Sequence, residues 1–468
     1  MRKEANLFFP VIGLHDIRTE GRLAVTNREQ WSSNLGFLAA AVGSAVGLGN
    51  MWRFSYLTAE KGGAAFVALY LFFTLAIGLP VMLAELTLGR GAKKSPILAL
   101  THFGGERWRS LGWLFVLTGF VILSYYSVIA GWTIRYAAEA IFLGVPLNPG
   151  SKFSEISQGS DAFIYHVFFM AIVMGIVVRG VSRGIERVSI VAMPLLFLFV
   201  CSIAIYAATL EGAGAGYLYY LNADFANAFA IDVVVSAAGQ AFFSLSLGMG
   251  AIMTFASYLP PKSDLPRETV MIGGLDFGIA FLAGLMVFPI IFALGIQADV
   301  GESTLGALFV ALPKAFAAMG GAGRVVAIFF FSALVVGALT SAISLLEVVV
   351  SAAVDGLNWS RKRSVWVAGT SIAFLGSFAA WNIEVLDLMD QVANNLLLLV
   401  GGLALSIFVG WSMRDPVSEV QIGSQISRPA MVVWHQLLRW AVPVVLLFVL
   451  WHSVPSTLVN VWNFLSDP

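Results

Sequence analysis

Two short runs carry most of the chemistry in this chain. Ala45-Val46-Gly47-Leu48-Gly49 and Ser246-Leu247-Gly248-Met249-Gly250 share a small-x-Gly-x-Gly pattern, and each lies midway along an apolar stretch long enough to cross a bilayer. A helix interrupted at that depth bares N–H groups on one half-helix end and C=O groups on the other. In hydrocarbon such groups are tolerated only where they line a cavity or bind something. The positive N-terminal end suits a carboxylate and the carbonyl end suits a cation. Two matched interruptions therefore predict a mid-membrane site for a small zwitterion and metal cations. Taken singly, either glycine pair has a plainer explanation, close helix packing. Asp276 lies in another apolar run. An ionisable group there costs about 2.5 kcal/mol or more and is functional by default, although a protonated acid bonded to backbone is the simpler alternative. Glu85 and Glu347 also lie within apolar runs, where hydrogen bonds inside the bundle account for them.

The elements that must position these groups are membrane helices. Of 468 residues, 59% are hydrophobic and only 12% charged, about half of the ~25% charged residues of a soluble domain. Mean hydropathy is +0.85. An ordinary soluble enzyme, a secreted disulfide scaffold and a disordered chain are excluded. The apolar runs are long and unbroken, unlike the short alternating strands of a barrel. Lysine plus arginine and aspartate plus glutamate balance at 27 each, which leaves no basic footprint for nucleic acid. The lone Cys201 forms no disulfide within the chain, and the five histidines show no metal-ligand spacing. An intramembrane enzyme would need a catalytic dyad or metal cluster that these residues do not supply, so the chain reads as no enzyme. Residues 1–27 are polar around a patch, Leu7 to Leu14, too short to span, with no cleavable-signal pattern.

Eleven spans are expected, near 33–56, 64–88, 111–142, 163–179, 185–209, 233–258, 269–296, 324–355, 365–381, 390–413 and 430–452. With the N-terminus inside, 20 lysines and arginines fall on the inner side and 6 on the outer, with Arg439 inside the last span. This split predicts a multi-pass protein of the inner (plasma) membrane with a cytoplasmic N-terminus and an external C-terminus. The two glycine runs lie in the first and sixth spans, which run in opposite directions. The third and eighth spans are both unusually long. This pattern predicts an all-α fold of five spans plus five in inverted repeat, with helices 1 and 6 broken and one helix added. The expected divisions are a cytoplasmic extension at 1–27, repeats at 28–210 and 211–414, and the eleventh helix with a tail at 415–468.

The stretch Arg28-Glu29-Gln30-Trp31 through Gly43-Ser44-Ala45-Val46-Gly47-Leu48-Gly49-Asn50-Met51-Trp52-Arg53-Phe54 resembles the first span of the neurotransmitter:sodium symporter family, in its bacterial amino-acid transporter branch. Gln240-Ala241-Phe242-Phe243-Ser244-Leu245-Ser246-Leu247-Gly248 and Gly337-Ala338-Leu339-Thr340-Ser341 carry the same resemblance. It extends over spans one to ten and implies two sodium ions. One would be held by the carbonyls of Gly43, Val46 and Gly337 and the hydroxyls of Thr340 and Ser341. Hydroxyls bonded back to their own helix are the alternative for that pair. The other ion would be held by the Ala45 carbonyl, Asn50, Ser244 and Asp276. Animal members use chloride beside this ion. Tyr70 and Gln240 match the chloride ligands, Ala280 stands where a serine is expected, and Asp276 stands where asparagine is common. The resemblance thus implies that the Asp276 carboxylate replaces chloride.

By the same resemblance, a substrate carboxylate meets the first ion, the N–H groups near Leu48 and Gly49, and the Tyr126 hydroxyl. The ammonium meets the carbonyls of Ala45, Phe243 and Ser244, with Ser246 assisting. Ser44, Ile122, Phe243, Met249, Ser341 and Leu345 would surround the side chain, an apolar lining that suits a hydrophobic amino acid up to aromatic size. Tyr126 and Phe243 would cover the ligand, with Arg53 and Asp390 paired above. Arg28 and Asp355 would close the opposite end, with Trp31, Ser257 and Tyr258 as the seal; positive-inside anchoring is the plainer role for Arg28. Gly184 and Pro194 match a glycine–nine–proline spacing linked in the family to local unwinding, though an ordinary kink is equally compatible. The implied activity is sodium-coupled import of an amino acid across the bilayer by alternating access. A proton-coupled permease of the same architecture is the rival, disfavoured by the intact Thr340 and Ser341.

Overall fold

The computed structural model describes residues 28–226, 228–297 and 304–466; the expected extension at 1–27, with its Leu7–Leu14 patch, lies outside the described residues. Among the described residues, nine helices are long and apolar enough to cross a membrane. They are Ala64–Ala92, Glu106–Phe142, Ser160–Val177, Val181–Ala207, Leu265–Ala293, Gly321–Leu357, Arg361–Trp381, Ile383–Ser412 and Arg428–Ser466. A tenth crossing is the bent pair Asn34–Ala45 and Gly49–Glu60, which meet at 58°. Ile231–Ser244 followed by Ala251–Ala256 is a second interrupted segment. Counting the two interrupted segments, the spans follow the expected order, with breaks in the first and sixth.

The first break is written into local geometry. Ser33 caps the helix start by accepting the Gly36 N–H at 2.9 Å. The alanine-rich helix then runs to Ala45 and stops at Val46, which is extended at φ −77° and ψ 103°. Helical geometry resumes at Gly49 as a π-helical turn. In the sixth span three residues within five have positive φ: Ser246 at 54°, Gly248 at 79° and Gly250 at 72°. No right-handed helix passes through such a sequence of angles, and two of the three positions are glycine, which takes them without a Cβ penalty.

The long third span, Glu106–Phe142, packs along the eighth, Gly321–Leu357. The first span lies against the fifth, seventh and eighth. Both halves of the sixth lie against the second. The breaks thus face protein rather than lipid. The last helix continues well past 452, to Ser466. Its late polar residues have partners on the tenth span: Asn395 donates to Thr457 at 3.1 Å and Asn460 to Gln391 at 2.7 Å. Short helices, among them Pro96–Gly104 and Ala213–Leu221, fill connections between spans.

Candidate functional site

The two breaks touch each other and the eighth span. The Ser246 hydroxyl donates to the Ser44 carbonyl at 2.8 Å, linking the interruptions directly. Ser44 and Ser344 share a hydroxyl hydrogen bond at 2.7 Å. The Ser341 hydroxyl lies 3.3 Å from both the Gly43 and Ser44 carbonyls. A Cβ on Gly43 would approach the Thr340 Cβ to 2.9 Å, and one on Gly337 would come within 3.6 Å of the Gly47 Cα. Gly43, Gly337, Thr340 and Ser341 are therefore gathered at one crossing of the first and eighth spans, with buried Val46 at the break itself. Thr340 bonds back to the carbonyls of Val336 at 3.2 Å and Gly337 at 3.1 Å, whereas Ser341 reaches across. The oxygens assembled here are neutral and hard, the donor set that suits an alkali cation.

A second polar knot forms at Asn50. Its amide donates to Asp276 Oδ1 at 2.7 Å, to the Asp276 carbonyl at 3.2 Å and to Ser244 Oγ at 3.0 Å. Ser244 donates to Asp276 Oδ2 at 2.8 Å, and Tyr70 lies 3.0 Å from Ser244 Oγ and 3.4 Å from Asp276 Oδ2. Asn50 Oδ1 accepts the Gly47 N–H at 3.1 Å and so ties the knot to the first break. Asn50, Tyr70 and Asp276 are fully buried. Gln240 donates to the Gly49 carbonyl at 3.3 Å, and its own carbonyl oxygen is buried without a partner. One carboxylate, Asp276, thus sits at the centre of hydroxyl, amide and carbonyl groups. Among the described residues no group of three or more His, Cys, Asp or Glu forms a metal cluster. The site offers an oxygen cradle with a single carboxyl group.

Beside the breaks lies a cavity of about 250 Å³. Leu48, Gly49, Tyr126 and Phe243 line it, as do Arg53 and Asp390. Leu48 N–H points at the Tyr126 hydroxyl at 3.4 Å. Phe243 lies flat against Gly49, where an added Cβ would meet the ring at 2.5 Å. The Arg53 guanidinium lies 4.7 Å over the same ring. Arg53 and Asp390 form no direct ion pair; Asp390 accepts from Asn394 at 2.7 Å, and Arg53 Nη1 is buried without a partner. Ser44, Ala45, Ile122, Ser244, Ser246, Met249, Ser341 and Leu345 are buried and do not line the cavity. Tyr125, Asp387, Asn394 and Gln391 line it without having been expected. They lie on the third and tenth spans, and no motif flags them.

The other end is shut. Arg28 donates to Asp355 at 2.6 Å and to Ser257 at 2.7 Å, and its guanidinium lies 4.7 Å over the Tyr258 ring. Trp31 donates to the Phe255 carbonyl at 2.9 Å and packs edge-on against Phe37, Phe255 and Tyr258. All five expected residues of this end meet. The plug is larger than its sequence outline. Tyr258 donates to Glu347 at 2.6 Å, Arg361 clamps Glu347 with two hydrogen bonds of 3.0 and 2.5 Å, and Glu186 accepts from Ser32 and Ser33. Glu85 accepts the N–H groups of Gly248 at 2.9 Å and Met253 at 3.2 Å, placing a carboxylate at the start of the second half of the sixth span. Residues Val181–Glu186 at the start of the fifth span form a π-helical turn containing Gly184, and Pro194 lies within the helix that follows.

The sodium:neurotransmitter symporter family model matches residues 28–158 and 161–464. An uncharacterized sodium-dependent transporter of Methanocaldococcus jannaschii is 35% identical over 467 residues, covering 94% of this chain and 93% of its own. Another, of Bacillus subtilis, is 34% identical, covering 90% and 96%. Among solved structures, MhsT in complex with L-phenylalanine superposes with a TM-score of 0.83 at 38% identity, covering 91% of this chain and 99% of that one.

Proposed function

The chain belongs to the sodium:neurotransmitter symporter family, and from that premise we propose that it imports a hydrophobic amino acid, aromatic ones included, together with two sodium ions and without chloride. The observation that carries the reading is the convergence of both helix breaks, through Ser44–Ser246 and Asn50–Ser244, onto one buried cradle that includes Asp276. Its resemblance to a structure holding L-phenylalanine supports the substrate class.

Each group has a task under this reading. Asn50, Ser244, Asp276 and the Ala45 carbonyl hold one ion, which in turn draws the substrate carboxylate. The N–H groups at Leu48 and Gly49 and the Tyr126 hydroxyl complete that end. Carbonyls of Ala45, Phe243 and Ser244, with the Ser246 hydroxyl, take the ammonium. No arginine or lysine is required, because helix ends and the ion supply the fields. Gly43, Val46, Gly337, Thr340 and Ser341 hold the second ion, joining the first span to the eighth. Ile122, Met249, Leu345, Ser44 and Ser341 meet the side chain once Phe243 and Tyr126 close over it.

Orientation follows the basic residues: the Arg28 plug faces the cytoplasm and the Arg53 cavity faces outward. Two ions moving through 100 mV release about 4.6 kcal/mol before any concentration gradient, enough for roughly 10³-fold accumulation.

The reading is tested in proteoliposomes loaded with potassium and diluted into sodium. Labelled phenylalanine is expected to accumulate in sodium and not in potassium; equal uptake in both, or acceleration by a proton gradient alone, would favour the proton-coupled rival. Replacing chloride by gluconate is expected to leave the rate unchanged, because Asp276 supplies the negative charge. A strict chloride requirement would remove that role from Asp276.

The plug makes a further prediction. The Arg28–Asp355 side chains are only 17% and 16% exposed, but Asp355 keeps the Ser95 N–H when Arg28 is removed, so losing the pair costs about 1 kcal/mol or more, a latch rather than a stabiliser. Arg28→Ala is expected to shift the population about fivefold toward the cytoplasm-open state and to slow uptake. A cysteine placed at Ser257 should then label faster from the cytoplasmic side; unchanged labelling and uptake would assign Arg28 to anchoring alone.

A further inference from the structure

A groove of about 440 Å³ opens beside the start of the fifth span, apart from the transport cradle. Arg179, Arg183 and Arg187 line it, and all three are exposed. None of the three forms an ion pair among the described residues. The nearby carboxylates are engaged elsewhere: Glu186 by Ser32 and Ser33, Glu29 by the Val181 N–H and Arg361. Arg183 and Arg187 are four residues apart, a spacing at which like charges repel on a helix. Beside the arginines the wall turns apolar through Val191, Leu195 and Val336, and Val191 is 66% exposed.

We propose that this groove binds one anionic glycerophospholipid, its phosphate on Arg179, Arg183 and Arg187 and an acyl chain along Val191, Leu195 and Val336. Charge complementarity selects the headgroup, and the apolar floor selects a lipid over a soluble anion. The groove also reaches transport machinery. Gly184 of the π-helical turn lines it, and so does Val336, whose carbonyl accepts the Thr340 hydroxyl. A lipid seated there braces the fifth span against the eighth next to the proposed second ion, so its occupancy regulates how readily that end opens.

Native mass spectrometry of the purified full chain, titrated with phosphatidylglycerol, phosphatidylcholine or inorganic phosphate, tests this. One phosphatidylglycerol is expected to be retained at least tenfold more tightly than phosphatidylcholine. Each arginine removed should weaken it roughly fivefold, so R179Q/R183Q/R187Q should abolish the preference. Val191→Trp keeps the charges and fills the floor; it should weaken retention as well, and it carries the test if the triple variant does not fold. Equal retention of the two lipids by the parent protein, or undiminished retention by both variants, would overturn the proposal. Displacement by inorganic phosphate as effective as by phosphatidylglycerol would make this a soluble-anion site and overturn it too.

Discussion

Asp276→Asn is expected to raise the sodium concentration needed for half-maximal uptake by about 100-fold or more. The substitution keeps the size of the side chain and one acceptor oxygen, which can serve Asn50, while the Ser244 hydroxyl can turn to accept from the new amide, so the knot retains its shape. What it removes is the only carboxylate in that knot, whose three partners, Asn50, Ser244 and Tyr70, lie within 3.4 Å and are themselves neutral. Taking one partner from a buried charge pair costs about 3–5 kcal/mol, because the remaining charge stays desolvated and uncompensated. A cation entering this cradle in the variant meets that situation. Sodium-dependence of uptake, measured at fixed substrate with potassium as the replacement, gives the shift. A curve superimposable on the parent's would mean that Asp276 is neutral or remote from the ion.

Gly248→Ala is expected to abolish transport by the addition of a single methyl group. At φ +79° an alanine is strained by about 1–2 kcal/mol. Its Cβ would lie 2.3 Å from the Leu398 carbonyl oxygen, a backbone atom that cannot swing aside. Overpacking of that kind adds about 1–3 kcal/mol. Moving Gly248 also withdraws its N–H from Glu85, leaving a buried carboxylate half satisfied. The combined effect should lower the melting temperature in detergent by several degrees and eliminate uptake. Gly239→Ala, in the continuous part of the same span with open space around its Cα, is the matched control and should behave like the parent. Parent-like melting and uptake for Gly248→Ala would mean that the sixth span is not broken in the way described.

The breaks could be read from sequence because small residues at a fixed spacing, deep in apolar runs, have few physical uses. The grouping of Asn50, Ser244 and Asp276 is legible in the sequence only through the family resemblance of the motifs around them, and the structure brings the three within hydrogen-bond distance. The vestibule could not be foreseen. Tyr125, Asp387 and Asn394 come together through the rotation of two long helices, and nothing in their local spacing marks them. The same holds for the plug, where Glu186, Glu347 and Arg361 are distant in sequence and become partners only once the first, fifth, eighth and ninth spans are packed. The eleventh helix runs on past the expected end at 452, where Thr457 and Asn460 find partners on the tenth span.

Coupling between ion and substrate is the centre of this account, and equilibrium binding tests it with the fewest intervening steps. The twenty amino acids are screened by thermal shift on the purified chain, once in sodium and once in potassium at equal ionic strength. Stabilisation by phenylalanine or another large apolar amino acid in sodium, with none in potassium, is the predicted result. Equal stabilisation in both salts would show that the cradle formed by the two breaks holds its ligand without an ion, contrary to the account.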